Sequence, residues 1–207
     1  MSMPKIIGVD FDNTIVCYDA VFYRAALARG VIPTDVPKTK IAVRDHLRNA
    51  GKESMWTEIQ GEVYGARMTE ADSFPGVEAF FRACLEAGAT VYIVSHKSLN
   101  PHVGVMYNLH AAAREWLEAR SFHARVGLPR ENVFFELTRE HKIERIAGLR
   151  CNLFIDDLPE VLNEPGFPGA TERLLFDPLE QHTGEGLRRV GTWSEAVSFV
   201  NGQTSYD

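Results

Sequence analysis

The chain has 207 residues, with 22 Lys and Arg against 28 Asp and Glu, and a formal net charge of −6 at pH 7. A hydrophobic share of 45% and a charged share of 24% provide enough apolar material for one sizeable globular core, and they exclude the disordered, collagen-like and membrane-spanning classes. Without a Lys/Arg-rich block, neither nucleic acid nor a membrane surface is an expected partner, and an anionic ligand has to be met by a few placed cations.

Met1 to Val9 reaches an acidic residue, Asp10, after too few apolar residues for a secretory leader. The three cysteines, Cys17, Cys84 and Cys151, are odd in number and widely spaced. That fits buried thiols in a reducing compartment, and the cytoplasm is the expected location.

Residues 5–9 form a short apolar run ended by Asp10, the pattern of a buried parallel strand with a polar residue at its C-terminal end. Residues 18–74 then interrupt the order. They carry helical periodicity (Val21, Ala25, Leu27, Ala28; Ile41, Val43, Leu47; Ile59, Val63) and no convincing strand. Pro33, Pro37 and Gly51 divide the interval into about three helices, so it reads as a helical insertion. Behind Pro75 and Gly76, the spacing of Val77, Phe80, Phe81, Cys84 and Leu85 predicts a helix closed by Gly88. Residues 90–94 predict a second strand ending at Ser95, with His96, Lys97 and Ser98 following in a loop. Asn108 precedes another helical pattern, Leu109, Ala112, Ala113, Trp116 and Leu117. Residues 133–135 are a weaker strand candidate, Ile143, Ile146 and Ala147 a short helix, and residues 153–155 a strand ending at Asp156. Residues 173–176 repeat the strand form before Asp177, and Thr192 with Glu195 gives a capping pattern for a last helix. The alternation predicts an α/β protein: a Rossmann-like, doubly wound parallel sheet built from residues 1–17 and 75–207, with residues 18–74 as a small helical cap.

Open parallel sheets gather ligands at the C-terminal ends of their strands, so Asp10, Asp12, Ser95, Asp156 and Asp157 are expected in one crevice. Asp10 and Asp12 are two apart as the chain leaves the strand, so both face the crevice while Phe11 points into the protein. Three or four carboxylates there repel one another unless they are protonated or bridged by a cation. A hard divalent ion, Mg2+ by default, satisfies them and leaves positions for a phosphate.

Asp10-Phe11-Asp12-Asn13-Thr14 after Ile6-Ile7-Gly8-Val9 resembles the first motif of the haloacid dehalogenase-like (HAD) superfamily. Ser95 after Val91-Tyr92-Ile93-Val94 resembles its second motif, Lys142 at a helix start its third, and Phe154-Ile155-Asp156-Asp157 its fourth. The resemblance implies a Rossmann-like core with a helical cap between the first and second motifs, and no second cap between Ser95 and Lys142. It implies that Asp10 attacks phosphorus to form an aspartyl-phosphate and that Asp12 is general acid and then base. Thr14 and Ser95 would donate hydrogen bonds to phosphoryl oxygens, and Lys142 would neutralise charge. Mg2+ would be held by Asp10, the Asp12 backbone carbonyl, Asp156 and Asp157. His96 and Lys97 are further candidates for contacting a phosphate ester. In the insertion, Tyr23, Arg24, Arg44, His46, Arg48, Trp56, Tyr64 and Arg67 are candidates for holding the remainder of the substrate.

Asp12 narrows the resemblance. Dehalogenases of the superfamily lack this acid because a halide leaves without a proton, so phosphatase or phosphomutase chemistry remains. A small soluble phosphate ester is the expected substrate, since a cap excludes bulky ones. A mutase, or a phosphate-binding module without activity, is the competing reading.

Overall fold

A computed structural model describes residues 5–182 and 186–204. Met1 to Pro4, part of the segment weighed above as a leader, lie outside the described residues. The strands are β1 (Ile6–Val9), β2 (Val16–Cys17), β3 (Asp72–Ser73), β4 (Thr90–His96), β5 (Val133–Glu136), β6 (Leu153–Asp156), β7 (Glu172–Phe176) and β8 (Arg188–Val190). The α-helices are α1 (Asp19–Ala28), α2 (Lys40–Asn49), α3 (Glu53–Tyr64), α4 (Val77–Glu86), α5 (Leu109–Ala119), α6 (Arg139–Leu149), α7 (Pro159–Leu162) and α8 (Trp193–Thr204).

By contact the chain divides into two units. The first comprises Met1–Ile15, Phe74–His96 and Ser121–Asp207; the second, Val16–Ser73 and Lys97–Arg120. This differs from the expected division in one segment, because residues 97–120 cluster with the insertion. The reason is local packing on α3. Cβ atoms at Gly61 and Gly65 would come within 2.9 Å of Pro101 and 2.5 Å of Tyr107, so these two glycines, one helical turn apart, let the segment lie directly on the helix.

The first unit is a six-stranded parallel sheet in the order β5-β4-β1-β6-β7-β8. The register puts Gly8, Tyr92, Val94, Phe154 and Leu175 on one face. Several of them join Ile143 and Ile146 of α6 and Val161 and Leu162 of α7 in one core cluster. Gly8 leaves the room this cluster needs: a Cβ there would overlap the Phe154 ring and stand 3.1 Å from Cys151 Sγ. Elsewhere in the unit α4 packs with α8, and Phe80 and Phe176 lie 4.8 and 5.1 Å from Trp193 between ring centroids. The predicted end of α4 is a Schellman closure, with Gly88 at φ +81° and Ala89 N–H donating to Cys84 O at 2.9 Å. Cys84 and Cys151 are buried as expected; Cys17 is half-exposed, a correction to its reading as a buried thiol.

The second unit packs α1, α2 and α3 on one another, with α5 against α3 and the turn at Met68–Glu70. Its core is aromatic: Phe22 stacks on Trp56 at 4.9 Å, and Tyr18 meets Tyr64 edge-on at 4.9 Å. Trp116 is fully buried and donates its indole N–H to Ala71 O at 2.8 Å. The short β2–β3 pair is antiparallel, joining Val16 to Ser73 and Cys17 to Asp72. No helix among the described residues is long and apolar enough to cross a membrane.

Candidate active site

The site grows from the end of β1. Asp10 N–H donates to Ile155 O at 2.8 Å, extending the ladder by one residue. Asp10 therefore keeps to the Gly8 face of the sheet, the face that α6 covers. Phe11 turns the other way and is fully buried, edge-on to Phe135 at 5.3 Å. The chain then folds back: Ile15 N–H donates to Phe11 O at 3.0 Å, and Asn13 takes φ +59°, a left-handed conformation that asparagine tolerates better than most residues. This turn buries Thr14, whose hydroxyl lies 3.3 Å from Asp157 Oδ1 and 3.5 Å from Asp10 Oδ2. Trp193 of α8 braces the turn from the far end of the sequence, its indole N–H donating to Thr14 O at 3.3 Å.

Lys142 arrives from the first turn of α6, which is capped by Thr138 Oγ1 accepting from His141 N–H at 3.1 Å. Its side chain is almost completely buried, and Nζ donates to Asp10 Oδ1 and to Asp156 Oδ2, each at 2.6 Å. Asp156 Oδ1 accepts from Leu158 N–H at 3.0 Å. Carboxylate oxygens of Asp10, Asp156 and Asp157 all lie within 4.8 Å of one another. Burial alone would pull Lys142 below the ordinary lysine range, but Asp10 and Asp156 outweigh it and hold the ammonium more firmly protonated than in water. Burial pushes Asp156 up to about 6; Asp10 adds to that rise and Lys142 opposes it. One ammonium thus bridges two of the three clustered acids. The donor set is all carboxylate oxygen, with no thiolate or imidazole, which suits a hard divalent ion and not zinc.

The other sequence-derived candidates fall in different places. Asp12 is half-buried on the same turn as Asp10, and its carboxylate is not one of the three that converge. Ser95 is buried near the end of β4, on the sheet face opposite Val94. His96, the last residue of β4, is exposed; desolvation on its inner side and the nearby Lys142 charge hold the ring below the ordinary imidazole range, against a hydrogen bond to Leu137 O. It is therefore neutral at pH 7. Lys97 is buried and belongs to the second unit, not to the unit holding the aspartates; its ammonium lies 5.0 Å from the Tyr64 ring centroid.

Within the second unit, several proposed substrate contacts have partners of their own. Arg24 and Arg67 pair with Glu70, Arg44 with Asp45, and Arg48 with Glu53. Tyr23 donates to Thr34 O at 2.9 Å, and Trp56 and Tyr64 are part of the aromatic core. Sequence reasoning missed the Trp193 brace. The capping pattern at Thr192 and Glu195 did signal where α8 begins.

No protein-family model matches the sequence, and no curated protein does. Solved structures do. A HAD-family hydrolase from Deinococcus radiodurans R1, with bound phosphate and sodium, is similar at TM-score 0.60 and 13% identity over 97% of this chain and 96% of its own. An L-2-haloacid dehalogenase is similar at TM-score 0.59 and 11% identity, over 97% of this chain and 100% of its own. A HAD-superfamily hydrolase from Ehrlichia chaffeensis is similar at TM-score 0.56 and 13% identity, over 99% of both chains. At these identities the likeness is one of fold: the chain has the α/β fold of the HAD-superfamily hydrolases, as its four motifs imply.

Proposed function

We propose that this chain is a HAD-type phosphomonoester hydrolase acting on a small soluble phosphate ester in the cytoplasm, with residues 18–74 serving as its cap. The observation that carries the reading is the convergence of the buried Asp10 and Asp156 with the half-buried Asp157 at the strand ends, with Lys142 donating to the first two. Burying carboxylates costs several kcal/mol per ion, and clusters that bear this cost are concentrated at functional sites.

In this reading an Asp10 carboxylate oxygen attacks phosphorus, the P–O ester bond breaks, and Asp12 protonates the departing oxygen. Asp12, now a carboxylate, takes a proton from water. The resulting hydroxide attacks the aspartyl-phosphate, inorganic phosphate leaves and the Asp10 carboxylate is restored. Lys142, held against Asp10, offsets the charge of nucleophile and phosphate together. Thr14 and Ser95 are placed on the loop and strand that end beside Asp10 and would bond phosphoryl oxygens; His96, neutral, would add a donor. The residues fit Mg2+: Asp10, Asp156 and Asp157 would hold it, with the Asp12 carbonyl. Bound there, the ion supplies positive charge that lets a phosphate dianion approach an anionic nucleophile.

Two observations support hydrolysis of a phosphate over dehalogenation, although one similar structure is a dehalogenase. Asp12 would have no task if the leaving group were a halide. The structure from Deinococcus radiodurans R1 holds phosphate and sodium, an anion and a hard cation of the kind assigned here. The test is phosphate release from a panel of sugar, nucleotide, polyol and amino-acid phosphates, with Mg2+ and with EDTA. Chelator-sensitive turnover of some members, lost more than about a thousandfold in Asp10→Asn, is the expected result. Full turnover by Asp10→Asn, or none by the wild type, refutes it.

A further inference from the structure

Helix α6 has two unlike sides. Lys142, Ile143 and Ile146 are buried, whereas His141, Glu144, Arg145, Gly148 and Leu149 recur at the i, i+3, i+4, i+7 and i+8 spacing of a second, outward face. Together with Glu136 at the end of the edge strand β5, this face lines a cavity of about 450 Å³, inside the range of roughly 300–1,000 Å³ that small-molecule sites occupy. All six residues belong to the first unit, and none is part of the aspartate cluster.

The charged groups of this cavity are held in place and only partly satisfied. Arg145 donates its Nε–H to Glu136 Oε1 at 2.7 Å, and its guanidinium carbon lies 4.5 Å from the Phe134 ring centroid, so the side chain is fixed from two directions. That bond uses one of the five guanidinium N–H donors. Among the described residues no protein group accepts from the terminal nitrogens, and none pairs with the Glu144 carboxylate. Gly148 supplies the room. A Cβ there would meet nothing within 4 Å, so no close approach calls for glycine, which weakens a helix interior relative to alanine. The left-handed position that closes α6, where glycine is usual, is instead taken by Arg150 at φ +53°. The glycine thus serves neither packing nor capping, and what it leaves open is the cavity.

We infer that the outward face of α6 binds a small zwitterion with an apolar body, a free amino acid with an aliphatic side chain. The terminal nitrogens of Arg145 offer a planar fork to the carboxylate, and Glu144 receives the ammonium. The aliphatic part lies against the half-buried Leu149, in the space beside Gly148. The His141 imidazole, which can donate or accept, lines the same wall. A carboxylate without the ammonium would meet Glu136 and Glu144 as like charges, and an ammonium without the carboxylate would meet Arg145. Either ligand leaves one charged group of the cavity desolvated and unpaired, so affinity requires both charges.

The experiment is an amide chemical-shift titration of the full chain with L-leucine, with isocaproate, which is leucine without the ammonium, and with isoamylamine, which is leucine without the carboxylate. Saturable shifts at Glu136 and residues 141–149 are expected with leucine, at an affinity at least tenfold above that of either analogue. Glu144→Gln should weaken leucine at least tenfold and leave isocaproate no weaker than before. Arg145→Gln should weaken leucine to the same degree and leave isoamylamine no weaker, a charge-by-charge pattern that a local loss of structure would not give. Gly148→Leu fills the cavity with no neighbour to displace, so it should abolish leucine binding while the melting temperature is kept or raised. No saturable shift with leucine up to its solubility overturns the site, as does leucine binding that Gly148→Leu leaves intact. An analogue bound as tightly as leucine, or leucine binding indifferent to Glu144→Gln or Arg145→Gln, overturns the zwitterion assignment.

Discussion

Replacing Lys142 by Met keeps the length of the side chain and removes its charge, leaving Asp10 and Asp156 buried against each other. Two N–H···O contacts of 2.6 Å are lost, each a Coulombic attraction of about 6 kcal/mol at an effective dielectric constant near 20. Most of that is cancelled in the folded protein by the desolvation of three charges. What remains on breaking a buried pair from one side is a loss of about 3–5 kcal/mol. The loss has a characteristic pH dependence. In the wild type Asp156 is already raised to about 6 by burial, and without the ammonium it rises further. A carboxylate raised in the folded state binds its proton more tightly there than in the unfolded chain. Its contribution is therefore fully present below the ordinary carboxylate pKa of about 4 and is lost as pH rises through the folded value. Lys142→Met should consequently lose most at pH 7.5 and recover part of the loss at pH 5. Urea unfolding followed by tryptophan fluorescence, in EDTA, measures it: at about 2 kcal/mol per molar urea the midpoint falls by roughly 1.5–2.5 M at pH 7.5, and by visibly less at pH 5. A midpoint shift under about 0.5 M, or an equal shift at both pH values, would refute the reasoning that Lys142 is the shared counter-charge of this cluster.

Mg2+ should raise the melting temperature more at pH 7.5 than at pH 5, because Asp156 must give up its proton to bind it; equal shifts would argue against these ligands. At a hundred times its dissociation constant the ion stabilises by about 2.7 kcal/mol. Gly8→Ala drives a methyl group into the Phe154 ring and should cost about 1–3 kcal/mol, with partial recovery in the double variant with Phe154→Leu; an unchanged melting temperature would contradict the packing described. Burial pushes Cys84 and Cys151 up to about 12, so at pH 8 a thiol reagent should titrate Cys17 alone in the native protein and all three cysteines in urea, and three fast thiols in the native state would show the core to be open.

The sheet was legible because each central strand is a short apolar run stopped by a polar residue, and parallel strands buried on both faces have that form. β1, β4, β5, β6 and β7 were found within one or two residues. β2 and β3 were not, since two-residue strands carry no periodicity, nor was β8, whose Arg188 and Arg189 are exposed at the sheet edge. The convergence of Asp10, Asp156 and Asp157 followed from their position at strand ends. The attachment of residues 97–120 to the second unit was not legible, because it depends on Gly61 and Gly65 meeting side chains some forty residues away. The grouping of Tyr18, Phe22 and Tyr64 was invisible for the same reason: these rings come together only after α1 and α3 have packed.

The hydrogen bond from Trp193 to the Thr14 carbonyl joins residues 179 apart in sequence, and this has a consequence for biosynthesis. A nascent chain that has emerged as far as Phe176 already owns Asp10, Ser95, Lys142 and Asp156, yet the turn carrying Thr14 has no brace until α8 follows. β1, synthesised first, lies in the interior of the sheet, so it waits for β4 on one side and for β6 on the other. The Thr14 turn is thus completed late, and a chain stalled before Trp193 would hold Asp10, Asp156 and Lys142 with that turn unbraced.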